Sequence, residues 1–104
     1  MTTFLFTYRA PANYVRGTAE DVAAWTAWFD SMNAAVVNIG NPVAESATVG
    51  DCGNKVLPLD GYSLITADDL DAALAMAKGC PLMSRDGNVE VGSLLDLTSA
   101  SDPA

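Results

Sequence analysis

LDGYSLITADDLDAALAMAKGCP, residues 59–81, followed after a short spacer by GNVEVGSLL, residues 87–95, decides the fold of this chain. From Asp60 to Thr66 the pattern alternates, with Tyr62 and Leu64 on one face and Ser63 and Ile65 on the other, which predicts a strand. Thr66 with Asp69 three residues on predicts a capped helix start, and Asp68, Asp69 and Asp71 place negative charge where the helix dipole favours it. The helix is expected near 68–78, burying Leu70, Ala73, Leu74 and Ala77. Lys78, Gly79 and Pro81 end it, and Val89 to Leu97 returns as a strand. Strand, helix and returning strand make half of a split β-α-β domain.

Working outward, Thr3 to Arg9 reads as a first strand, with Phe4, Phe6 and Tyr8 on one face and Leu5, Thr7 and Arg9 on the other. Ala10 to Gly17 is a loop. Thr18 with Asp21 opens a helix over 18–37, whose stripe of Val22, Trp25, Phe29, Met32 and Val36 is flanked by Trp28 and Ala35. Asn38 to Pro42 terminates it. Pro42 to Val49 supplies the next strand, residues 50–54 carry turn chemistry, and Lys55 to Leu57 continue the pairing up to Pro58. The order β-α-β-β-α-β predicts an α+β, ferredoxin-like sandwich, with one domain over 1–97 and a flexible tail over 98–104. Such a sheet leaves one face open. With Leu5, Thr7 and Ile65 assigned to that face, a homodimer is the expected partner arrangement.

Composition narrows the function. Five basic and thirteen acidic residues give a net charge of −8, which argues against nucleic acid and anionic membranes as partners. No apolar run reaches the length of a membrane span and no secretory leader is readable, so a cytoplasmic protein is expected. Cys52 and Cys80 form neither a disulfide framework nor a metal-ligand spacing, so free thiols are expected and no metal or cofactor is called for. Histidine is absent. That removes the commonest general base along with Ser-His, Cys-His and His-metal chemistry, leaving carboxylate, thiol, tyrosine or lysine for any proton transfer.

Phe4 to Arg9 with Pro11, Trp25 to Phe29, Gly40-Asn41-Pro42, Asp60 to Ser63, Asp68 to Pro81 and Gly87 to Val91 together resemble a subgroup of the YCII-related proteins. The resemblance spans nearly the whole chain and implies a dimeric α+β barrel of ferredoxin-like protomers. It also implies kinship with small-molecule enzymes that use a His–Asp dyad in a cleft. The chain departs from that pattern: it has no histidine, and Leu82 follows Cys80-Pro81 where relatives in the subgroup often carry one. The Asp-Gly-Pro-Phe signature of the neighbouring subgroup is absent too. The dyad therefore does not carry over, and a small-molecule binding or accessory module is expected. The alternative is a lyase- or isomerase-like enzyme using a carboxylate or tyrosine instead.

A ligand pocket is expected between the sheet and the first helix, touched by Tyr8, Arg9, Trp28, Asn41 and Tyr62. Arg9 is the expected anion ligand, because its planar fork grips a carboxylate, so a small acidic organic ligand follows. A surface ion pair is the plainer role for Arg9, and core packing for Trp25 and Trp28. Asn41 belongs equally to a turn, and the Tyr62 hydroxyl reaches either a ligand or the backbone. Cys80, beside a helix C-terminus, lies in the wrong dipole field for an activated thiolate and is read as a packing residue.

Overall fold

Four antiparallel strands, β1 Thr2–Arg9, β2 Val36–Asn38, β3 Leu59–Ala67 and β4 Asn88–Ser93, form one sheet in the order β2-β3-β1-β4. Two helices, α1 Ala19–Met32 and α2 Leu70–Ala77, connect them in the sequence β-α-β-β-α-β. This is the split β-α-β, ferredoxin-like α+β sandwich. The computed structural model describes residues 1–50 and 57–95; the expected turn over 51–54, Cys52, the start of the Lys55–Leu57 segment, the end of the last strand and the tail over 98–104 lie outside these.

The strand alternation sorts the two sheet faces. Phe4, Phe6 and Tyr8 of β1 and Ser63, Ile65 and Ala67 of β3 are buried beneath the helices. Ile65 pairs with Phe4 and is fully buried, so it belongs to the helix side and not to the open face. The open face carries the cross-strand pairs Thr3–Thr66, Leu5–Leu64 and Thr7–Tyr62.

Helix α1 starts where the sequence places it. Thr18 is the N-cap, and its hydroxyl accepts the Asp21 N–H at 3.0 Å. It ends earlier than expected, at Met32, because Asn33 takes the left-handed conformation (φ 48°) and starts a short 3₁₀ turn. Val36 and Val37 then favour extended backbone, so the second strand is Val36–Asn38 and not Pro42–Val49. Of the latter segment only Pro42 bridges the sheet, opposite Gly61.

The buried face of α1 is centred on Trp28 and Met32, while Trp25 and Phe29 are half-buried and Val22 is exposed. The Trp28 indole N–H donates to the Met76 carbonyl at 3.0 Å, joining the two helices. Gly79 leaves it room: a Cβ there would sit 3.2 Å from the indole. Helix α2 is capped by Asp69, which accepts the Ala72 N–H at 2.8 Å, and not by Thr66. Because Trp28 already fills the layer, α2 presents Ala73 and Ala77 to the core and turns Leu70 and Leu74 outward. Cys80 and Leu82 close the core beyond the helix, and burial pushes the Cys80 thiol up to about 12.

Candidate functional site

A cleft of about 420 Å³ opens between one side of α1, the loop before it, and the segment 39–42 along β3. Aromatic side chains make its walls: Tyr8, Tyr14, Trp25 and Phe29 all line it. Trp25 meets Tyr8 edge-on with ring centroids 5.0 Å apart and stacks on Phe29 at 5.9 Å.

The helix period explains why one α1 tryptophan is core and the other is wall. A step of three residues turns the helix by about 300°, enough to carry Trp25 from the buried stripe to its edge. The opposite wall depends on two glycines. Gly40 takes φ +74°, its N–H is accepted by the Asn38 side chain at 2.8 Å, and a Cβ there would overlap the Tyr62 carbonyl. A Cβ on Gly61 would lie 3.0 Å from the Asn41 carbonyl oxygen. Close approach of these two backbones carries segment 39–42 alongside β3.

Polar groups gather at one end of the cleft. Asp21 and Asp60 are both buried and both line it. One Asp21 carboxylate oxygen accepts the Tyr14 hydroxyl and the other accepts the Gly17 N–H at 3.1 Å. The Tyr14 oxygen in turn accepts the Trp25 indole N–H at 3.1 Å. Burial, then the hydrogen bond to Asp21, pushes the Tyr14 phenol up to about 12, so it stays protonated. Arg85 approaches Asp21 from the far side at 3.8 Å. Asp60 pairs with the Arg16 guanidinium, which also donates to the Val43 carbonyl at 2.7 Å. Burial raises the Asp60 carboxyl, and Arg16 opposes that rise.

Of the residues expected to form a pocket, three border this cleft. Tyr8 contributes its ring, but its hydroxyl donates to Ser63 at 2.8 Å, and Ser63 donates onward to the Ile39 carbonyl at 2.6 Å. Burial raises the Tyr8 phenol strongly. Asn41 and Tyr62 stand at the edge, the Asn41 amide 3.5 Å from the Tyr62 hydroxyl. The other two lie elsewhere. Arg9 is not among the lining residues and donates to the Leu57 carbonyl at 3.3 Å. Trp28 is buried in the core, behind the wall that Trp25 forms.

Tyr14, Arg16, Asp21 and Asp60 escaped the sequence reading as site residues. Tyr14 and Arg16 lie in a loop with no periodic pattern, and Asp21 reads fully as a capping residue. The one available signal was a tyrosine and an arginine two residues apart in the loop just before a helix start.

No protein-family model and no curated protein matches the chain. Among solved structures it is similar to 5-chloro-2-hydroxyhydroquinone dehydrochlorinase (TftG) from Burkholderia phenoliruptrix, in complex with 2,5-dihydroxybenzoquinone. The TM-score is 0.64 at 15% identity, covering 89% of this chain and 93% of that one. The likeness shows the fold alone, an α+β sandwich with a four-stranded antiparallel sheet.

Proposed function

We propose that the cleft binds a small flat organic molecule, its ring against Trp25 and Phe29 and a polar group toward the Tyr14–Asp21 and Arg16–Asp60 pairs. The observation that carries this reading is the convergence of five aromatic residues, Tyr62 at the edge among them, and two buried carboxylates on one open cavity of about 420 Å³. That volume suits a one- or two-ring ligand. A structural neighbour in complex with a dihydroxylated ring supports the same size class. Tyr8, Asn41 and Tyr62 bound the ligand in this reading; Arg9 and Trp28 do not. A binding or accessory module built on a YCII-like scaffold without its histidine is the function we favour.

Trp25 supplies the test, because it stands in the wall. Titration with 2-naphthylmethanol should change tryptophan fluorescence saturably, and Trp25→Ala should weaken binding by about tenfold or more, the scale of a lost aromatic contact. Absence of saturable binding would remove the reading.

A second reading, catalysis without histidine, rests on one observation: the buried Asp21 carboxylate accepts the hydroxyl of a phenol that lines the cleft. Such a pair can take and return a proton at a ligand hydroxyl or enol. For assembly, we propose that a second copy covers the open sheet face through Leu5 and Leu64. Light scattering should then report twice 10.8 kDa.

A further inference from the structure

We infer that the cleft selects a small organic cation, an ammonium group carried on a flat apolar body, over a carboxylate of the same shape. The inference rests on the cleft being a binding site and adds the charge of what it binds. A carboxylate ligand was the expectation while Arg9 stood as its anchor, but Arg9 is outside the cleft.

The charges that do face the cavity are Arg16 against Asp21, Asp30 and Asp60. Arg16 is already engaged with the Asp60 carboxylate and the Val43 carbonyl. Arg85, the other guanidinium nearby, is directed at Asp21. Each buried carboxylate therefore has its own cation. Asp30, exposed on α1 at the rim, makes no ion pair among the described residues. An anionic ligand meets no uncommitted cation here. An anion that reaches the exposed side of Arg16 shares a guanidinium whose charge Asp60 already neutralises, so it gains little there.

A cation faces the reverse situation. The walls offer Tyr8, Tyr14, Trp25 and Phe29, whose ring faces carry the negative part of the aromatic quadrupole. Asp30 adds an uncompensated charge at the mouth, and the chain's net charge of −8 adds a field of the same sign.

Three probes with one body test this in the full chain near neutral pH: 2-naphthylmethylammonium, 2-naphthylmethanol and 2-naphthoate, compared by calorimetric titration. The ammonium should bind about tenfold or more tighter than the carboxylate, with the alcohol between, and high salt should narrow the gap. Asp30→Asn, a change on an exposed helix position, should reduce the ammonium affinity about threefold and leave the alcohol unchanged. A carboxylate binding as tightly as the ammonium overturns the inference while leaving the binding site intact. So does an ammonium preference insensitive to both salt and Asp30→Asn. Failure of all three probes to bind removes the binding site itself, and this inference with it.

Discussion

Trp25 and Trp28 stand three residues apart on one helix and serve different halves of the molecule. Trp28 is 6% exposed, bonded to the Met76 carbonyl and wedged over Phe6 and Tyr8. Trp25 is half-buried, bonded to the Tyr14 hydroxyl, and shows its remaining surface to the cleft. Trp28 packs on Phe6, Tyr8 and Phe29 with its indole N–H already bonded, so its burial stabilises the fold. Around Trp25 the same helix meets a loop carrying Tyr14 and Arg16, and apolar surface is left uncovered beside ion pairs. The contrast separates what holds this protein together from what it can hold.

The largest effect that would break the contrast concerns these two residues. Trp28→Ala should destabilise the protein by about 3–5 kcal/mol, the range for emptying a buried aromatic site. Trp25→Ala should cost less, about 1–2 kcal/mol, since part of its surface is already in water. Urea unfolding of both variants measures the difference, and equal losses would erase the distinction between core and wall.

Gly40 tests the cleft side by geometry. Gly40→Ala imposes a left-handed φ on a side-chain-bearing residue and drives its Cβ into the Tyr62 carbonyl, so segment 39–42 must move off β3. A loss of about 2 kcal/mol is expected, together with weaker probe binding. Stability lost without any change in binding would show that this wall does not shape the cleft.

Cys80 sharpens the core side through pH. Its thiol is raised from 9.0 to about 12 by burial, so above pH 9 the unfolded chain releases a proton that the folded chain keeps. Stability should therefore fall as pH rises from 9, by on the order of 1 kcal/mol at pH 10. Cys80→Ala should move the onset toward pH 10, where unfolded tyrosines titrate while buried Tyr8 does not. Unfolding midpoints from pH 7 to 11 check this; coincident onsets would mean that the Cys80 thiol is not held protonated by the fold.

Much of the fold was legible because it rests on local patterns. The alternation in β1 and β3, the Thr18 cap and the stop at Lys78–Pro81 are each read from neighbouring residues. The misassigned second strand shows the limit. Val36 fits the helical stripe by spacing, and only Asn33 entering a left-handed conformation breaks that period. Helix α2 shows another, since nothing local reveals that Trp28 will occupy the layer and leave its leucines outside.

The site was less legible, for a physical reason. Tyr8, Asn41 and Tyr62 sit on or beside strands, and alternation gives their neighbourhood. Arg16 and Tyr14 acquire meaning only through contacts with Asp60 and Asp21, 44 and 7 residues away in sequence. Arg9 was the natural choice of cation from its place at a strand end. A bulge between Tyr8 and Arg9 and the bond to Leu57 carry it elsewhere.

The two tryptophans also supply the most direct measurement, because the chain contains only two indole N–H groups. A proton–nitrogen correlation spectrum shows one indole signal for each, assigned by the signal lost in Trp25→Phe. Titration with 2-naphthylmethylammonium should move the Trp25 signal saturably and leave that of Trp28 in place. Movement of the Trp28 signal alone, or of neither, would contradict the placement of a binding site on the Trp25 side of the helix.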